Sequence, residues 1–281
     1  MNHGYAVETI LTGYGLVEGP QVDGDDALYF SDAERGGVYR RTPEGEVETV
    51  VPRRKGVGGI ALHARGGIVI SGRDLSHVHQ GESRTIFRDP EIPRFNDIFA
   101  DAQGRLLAGS LRFDPLSTKA TPEPGSLYRI DAEGAATILY DDVGLTNGIG
   151  FSPDGRVLYH SDSIRRHVIR HDVSDEGLCL NRGVLAQLPA GAPDGLCVDA
   201  SGCVWVAAYG TGRAQRITPE GELDLEIELP EARVTSLCFG GADLRDLYIV
   251  TADDGGGAPP RGSIHRTRVD VAGLPAPRVR V

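Results

Sequence analysis

The sequence predicts an all-β chain, a six-bladed β-propeller with four-stranded blades, with residues 1–281 forming a single domain. A turn signal followed by an apolar pair recurs six times, at intervals of about 40–50 residues, the period of a propeller blade. No segment holds a helical apolar period over more than about 10 positions, so the repeats have to be built from strands. The 38 glycines and 17 prolines suit a chain that turns often.

The repeats can be followed in order. Asp23-Gly24-Asp25-Asp26 leads into Leu28-Tyr29, Ala64-Arg65-Gly66-Gly67 into Ile68-Val69, and Asp101-Ala102-Gln103-Gly104 into Leu106-Leu107. Ser152-Pro153-Asp154-Gly155 leads into Leu158-Tyr159, Asp199-Ala200-Ser201-Gly202 into Val204-Trp205, and a longer Gly240-to-Asp246 turn into Leu247-Tyr248. The first unit shows the four strands most plainly: Pro20-Gln21-Val22, Leu28 to Ser31, Val38-Tyr39-Arg40 and Glu46 to Val50, each pair separated by Gly- or Asp-rich turns. The sixth unit ends near Ser263 to Thr267 with little chain left for a fourth strand. The alternating segment Tyr5 to Leu11 is expected to supply it, closing the ring and removing exposed strand edges.

Composition narrows the function classes. With 40% hydrophobic residues, the chain has enough apolar surface for a real core. A net charge of −11 argues against a general nucleic-acid binder, whose affinity comes mostly from lysine and arginine on phosphates. No run approaches the roughly 20 apolar residues of a membrane span. Met1 to Gly15 has neither the basic start nor the apolar stretch of a signal peptide, so a soluble cytoplasmic protein is expected. Cys179, Cys197, Cys203 and Cys238 form no CxxC pair and are expected to be reduced core thiols, with a cross-strand Cys197–Cys203 bridge as the alternative.

Four polar residues occupy one repeated position. Glu18, Asn96, Asn147 and Asp194 each precede a short apolar run and a turn, and each has an apolar residue ten positions later: Leu28, Leu106, Val157 and Val204. Each is followed by a small or acidic residue: Gly19, Asp97, Gly148 and Gly195. The first strand of every blade lines the central channel, so equivalent positions converge on the axis. The matching positions of blades two and six, Gly58 and Thr235, are poor ligands. Two carboxylates and two amides offer an all-oxygen site for one divalent cation: Ca²⁺ first, then Mg²⁺ or Mn²⁺, with Zn²⁺ or Fe²⁺ as further alternatives.

Ordered motifs extend this pattern: Glu18-Gly19-Pro20, Arg94-Phe95-Asn96-Asp97, Gly125-Ser126-Leu127-Tyr128-Arg129, Thr146-Asn147-Gly148, Pro193-Asp194-Gly195, and Cys238-Phe239-Gly240-Gly241. In this order and spacing the chain resembles the senescence-marker-protein/gluconolactonase family, which includes regucalcin and is related to diisopropyl fluorophosphatase. The resemblance implies a six-bladed propeller with one catalytic divalent metal on the channel axis. It implies Glu18, Asn147 and Asp194 as metal ligands, Asn96 in or beside the ligand set, and Arg94 as a substrate-binding side chain. Val22 stands where members of that family often have tryptophan.

The expected activity is hydrolysis of a lactone, most simply a sugar-acid lactone such as gluconolactone, by metal-activated water. Asp194 is the first candidate for the base that takes the water's proton, and Glu18 the second. Asn96 would orient substrate or water, and Arg94 would hold a hydroxyl, carboxylate or ring oxygen. The long insertion Leu111 to Pro124, with Arg112, Asp114, Lys119 and Glu123, reads as a substrate-covering loop, which adds Glu123 as a substrate-binding candidate. The partner expected is therefore a small lactone, with no nucleic acid and no membrane. The same metal would serve a phosphotriesterase or esterase, and a non-catalytic calcium-binding propeller is the third reading. His160 and Asp162 are weaker candidates, His77 and His79 lack an evident third ligand, and Trp205 reads as blade-five core. Gly255-Gly256-Gly257 lacks the lysine of a phosphate loop and reads as a flexible loop, and no Gly-x-Ser-x-Gly elbow marks a serine hydrolase.

Overall fold

Where the sequence alternates apolar and polar residues between turns, the chain forms strands. The computed structural model describes residues 4–115, 117, 119–255 and 259–281, and every regular element in them is a β-strand. The strands make six antiparallel sheets of four, the blades of a six-bladed β-propeller. In blades one to five the four strands are consecutive in the chain. The innermost strands are Val17–Val22, Ile60–Leu62, Arg94–Ala100, Thr146–Phe151, Ala192–Val198 and Val234–Gly240.

Apolar side chains that alternate along these strands meet between neighbouring blades. Val69, Leu75, Phe95 and Leu106 fill the space between blades two and three. Trp205 lies between blades five and six against Phe239, and its indole N–H donates to Asp199 Oδ2 at 2.9 Å. The same oxygen accepts from Arg216 Nε at 2.7 Å, so the carboxylate is paired within the core. Buried hydroxyls cross the blade seams: Ser31 Oγ donates to Val57 O at 2.6 Å, Thr146 Oγ1 to Ser110 O at 3.1 Å, and Thr235 Oγ1 to Val17 O at 2.6 Å. Each satisfies a carbonyl that would otherwise be orphaned inside the protein. All four cysteines are free thiols, and Cys197 stands opposite Trp205 rather than Cys203.

The ring closes by the exchange the sequence suggests, but with a different segment. The N-terminal strand is Glu8–Tyr14, not Tyr5 to Leu11, and it pairs antiparallel with Gly262–Arg268 as the outer strand of blade six. Register shifts after Thr9 and Thr12, with Gly13 at φ 104°, carry the pairing further along the chain than simple alternation would. Tyr5 and Val7 instead pack against the core between blades five and six. The seam is tied by Thr9 Oγ1 to His265 Nδ1 at 3.0 Å and by His265 Nε2 to Glu231 Oε2 at 2.7 Å. Deleting residues 4–14 removes Ile10, Leu11 and Tyr14, which pack on the Phe30 and Ile264 cluster, and leaves Gly262–Arg268 as an open edge. At about 1.5–3 kcal/mol per large apolar side chain and roughly 2–4 °C per kcal/mol, the melting temperature is expected to fall by at least about 10 °C. A thermal melt within a few degrees of the intact chain would contradict this account of closure.

The last residues form a strap. Gly273 N donates to Leu244 O at 2.7 Å and Ala200 N to Ala272 O at 2.8 Å, which anchors the strap on blades five and six. Val279 N donates to Leu62 O at 2.8 Å and Arg280 N to Gly104 O at 2.8 Å, on blades two and three. His63 Nδ1 accepts from Arg65 N at 3.1 Å, which leaves Nε2 to donate to Val281 O at 3.1 Å. All these anchors sit at the ends of the inner strands or in the turns that follow them, so the strap crosses the channel at the end remote from Glu18, Asn147 and Asp194. The glycine-rich loop expected around Gly255 falls partly on Gly256 and Gly257, which lie outside the described residues.

Candidate functional site

The four polar residues lie at bulges. In each of their blades the inner strand slips against the second strand: between Glu18 and Gln21, Phe95 and Ile98, Thr146 and Ile149, and Pro193 and Leu196. A bulge leaves a residue unpaired and re-aims its side chain, here at the mouth of the channel. Blade two has no slip and begins pairing only at Ile60. The glycines after the polar residues follow from the crowding of the inner strands. A Cβ on Gly148 would collide with Leu196 N and Asp194 O of blade five, and one on Gly195 with Ser236 of blade six. Asparagine-glycine and aspartate-glycine therefore mark close approach of neighbouring blades here, not free turns.

A chain of hydrogen bonds fixes the amides. Asn96 Nδ2 donates to Asn147 Oδ1 at 2.6 Å and to Thr146 O at 2.9 Å. Asn147 Nδ2 donates to Ser163 Oγ at 2.8 Å, and Ser163 Oγ donates to Pro193 O at 2.6 Å. Both amide nitrogens are thus spent on protein acceptors. The Asn96 oxygen stays clear of them, and Asn147 Oδ1 keeps a second lone pair. Ser163 was not apparent from sequence, because it sits just past the second strand of blade four and meets Asn147 only through the fold.

The carboxylates are enclosed and uncompensated. Burial pushes Glu18 well above the usual carboxylate range, and the charges of Asp194 and Asp97 push it further. Burial and then the charge of Asp97 do the same to Asp194. Asp97 itself is pushed up to about 7 by desolvation, although Ile98 N donates to it at 2.8 Å. No arginine or lysine among the described residues counters the charge on Glu18 or Asp194. Asp194 Oδ1 is buried with no hydrogen-bond partner. Such oxygens call for a proton or a cation. Among the described residues no three His, Cys, Asp or Glu side chains form a metal-holding group by themselves. An oxygen cage therefore has to include the amide oxygens of Asn147 and Asn96. Asp97 is the carboxylate that sequence reasoning underused. Its signal was visible, since an acid stands where the three other motifs have glycine.

The rim carries the remaining candidates. Arg94 pairs across the strand with Leu111, where the long insertion begins, so that loop leaves from the same end of the channel. The Arg94 guanidinium lies against Gly56, where an added Cβ would approach its Cζ to 3.0 Å. Within the insertion Arg112 Nη1 and Glu123 Oε1 are 3.9 Å apart, and Glu123 is exposed. Leu116 and Thr118 of this loop lie outside the described residues. His160 and Asp162 are not brought to the site. His160 Nδ1 meets the Tyr140 hydroxyl at 2.7 Å, and Asp162 accepts from the backbone N–H groups of Gly144 and Leu145. His77 does have imidazole neighbours, stacked 3.8 Å from His63 and 6.0 Å from His79. Both nitrogens of His63 are spent on backbone groups, and His77 Nε2 meets Gly66 O at 2.9 Å.

Residues 16–253 match the family described as the SMP-30/Gluconolactonase/LRE-like region. The chain belongs to this SMP-30/gluconolactonase family. The family match spans all the motif residues from Glu18 to Gly241. Among its relatives, a 6-deoxy-6-sulfogluconolactonase of Pseudomonas putida is 34% identical over 270 residues, 90% of each chain. A pentonolactonase of Haloferax volcanii is 32% identical over 260 residues, 89% of this chain and 87% of that one. The solved structure of a luciferin-regenerating enzyme superposes with a TM-score of 0.90 at 26% identity, covering 99% of this chain and 100% of that chain.

Proposed function

We propose that this member of the SMP-30/gluconolactonase family is a divalent-cation-dependent lactonase that opens a sugar-acid lactone. The observation that carries the reading is the buried Asp194 carboxylate, whose Oδ1 has no partner, among Glu18, Asp97 and two oriented amides. Relatives named as lactonases of a sulfogluconate and of pentonates point to an aldonolactone as the substrate class.

Glu18, Asp194 and the Asn147 oxygen would hold the cation, with the Asn96 oxygen beside them. When bound, a divalent cation polarises a carbonyl oxygen and makes a coordinated water more acidic. The chain supplies the rest. Asp194 accepts the proton of the attacking water. Asn96 orients the water or a substrate hydroxyl, and its own amide is held in place by Asn147 and Thr146. Arg94 donates to a hydroxyl or carboxylate of the sugar acid. The Arg112–Glu123 loop would cover the mouth. The protein should be stripped with chelator and then given Ca²⁺, Mg²⁺, Mn²⁺, Zn²⁺ or Fe²⁺ singly, with acid release followed from a panel of gluconate and pentonate lactones. Turnover is expected to vanish on stripping and to return with at least one cation. Full turnover in the stripped protein would remove the cation from the proposal.

A further inference from the structure

A cavity lies beyond the ring of carboxylates. It has a volume of about 620 Å³, begins beneath the ring, is floored by the strap at Leu274 to Pro277, and extends sideways between blades three and four. The reason for its shape lies in the core. Between these blades only Leu107, Leu127, Ile149 and Leu158 form the buried cluster, while Phe99, Leu139, Phe151, Val173 and Cys179 stay partly exposed around it. Those five all line the cavity, with the Phe99 and Phe151 rings 6.0 Å apart. A volume in the range of roughly 300–1,000 Å³, apolar walls and a few polar groups are the usual attributes of a small-molecule site.

The polar groups decide what fits. Arg105 is spent on Asp101 Oδ2 at 2.5 Å, Gln103 Oε1 and Glu176 O. Asp154 is spent on Ser152 Oγ at 2.6 Å and Arg156 N at 3.1 Å. Arg156 and Asp175 are exposed at the rim and offset one another in charge. Arg129 is different. It is half-buried beside Cys179, and its Nη1 donates only to the carbonyls Glu176 O at 3.0 Å and Gly177 O at 2.8 Å. No carboxylate among the described residues pairs with it, and its Nε and Nη2 remain available. A half-buried guanidinium edge next to wet aromatic walls is complementary to an anion with an apolar body.

We infer that the blade three–four arm of this cavity, at the side away from Asp97, is a second binding site for a small amphipathic monocarboxylate, its tail between Phe99 and Phe151 and its carboxylate on Arg129. The arm between Phe99 and Phe151 offers a polyhydroxylated sugar acid little hydrogen bonding, so the ligand there is a short fatty or aryl-aliphatic acid rather than the product of lactone hydrolysis.

Titration calorimetry of the intact protein with octanoate, 1-octanol and gluconate tests this. One saturable octanoate site is expected, with octanol at least about tenfold weaker for want of the charge-assisted bond, and gluconate silent there. Arg129→Gln should weaken octanoate about tenfold and leave octanol unchanged, while Phe151→Trp should fill the cavity and block both. Asp194→Asn should leave octanoate binding intact. Octanol binding as tightly as octanoate, no saturable octanoate binding, or loss of binding in Asp194→Asn would each overturn the inference. If Arg129→Gln fails to fold, the octanoate–octanol comparison on the unaltered protein and the Asp194→Asn arm still decide.

Discussion

Replacing Asp194 with asparagine is expected to lower kcat/KM for an aldonolactone by roughly 10²–10⁴-fold, the range for loss of a positioned general base, with a further loss of cation affinity. The substitution is nearly isosteric, so the fold should survive. It removes the carboxylate whose Oδ1 lacks any protein partner, at the bulge between Pro193 and Leu196. Glu18 is the only other acid of the four in-register positions, and it comes from a different blade. Steady-state kinetics together with cation titration by calorimetry separate the two effects. If added cation at saturating concentration restores most of the turnover, Asp194 is a ligand alone. If the loss persists at saturation, it also moves the proton. Activity within tenfold of the parent would rule out both roles.

The second large effect concerns stability and pH. Glu18, Asp97 and Asp194 have folded pKa values raised above their ordinary ones, so the folded chain binds protons more tightly than the unfolded chain. Their protonated form therefore favours folding. That contribution is present below about pH 4 and declines as pH rises towards the folded values, about 7 for Asp97. The rise for Asp97 alone, from 3.8 to about 7, converts to on the order of 4 kcal/mol. Groups of the opposite kind set the acid limit. Asp74, held by Ser76 and Arg54, and Glu231, held by His265, have lowered pKa values, and their support is lost as pH falls below the ordinary carboxylate range.

About half of the Asp97 contribution is still present at pH 5.5 and almost none at pH 8, so chelator-treated protein is expected to melt at least about 5 °C lower at pH 8 than at pH 5.5, at roughly 2–4 °C per kcal/mol. A divalent cation should raise the melting temperature strongly at pH 8 and weakly at pH 5.5, because it takes the place of the protons. Differential scanning calorimetry at the two pH values, with and without cation, reads this directly. A cation effect of equal size at both would sink the idea that Glu18 and Asp194 are its ligands.

Much of this was legible in the chain. The propeller follows from six repeats of turn and apolar pair, because each blade cannot bury its own faces and has to stack on copies of itself. The convergence of Glu18, Asn96, Asn147 and Asp194 at the channel mouth follows from their equal place in those repeats. Trp205 as blade-five core needed only its position three residues past a turn.

Other features needed the fold. The closing strand runs from Glu8 to Tyr14 because Gly13 and two bulges shift the pairing, and a period-2 reading has no means of counting bulges. Ser163 orients Asn147 across residues that are 16 apart in sequence, and the strap joins Val281 to His63 across 218. The cavity beside Arg129 exists because the apolar side chains of blades three and four fail to close over one another, which composition does not reveal.

The sequence by itself determined the repeat, and with it the architecture and the choice of oxygen-bearing side chains, since both depend on local pattern and on equal spacing along the chain. Only the tertiary structure decided that a third carboxylate, Asp97, adds its charge to those of Glu18 and Asp194, with no arginine or lysine among the described residues to counter them. Desolvation and mutual repulsion are properties of where distant residues meet, and Asp97, Glu18 and Asp194 meet only when the ring is closed.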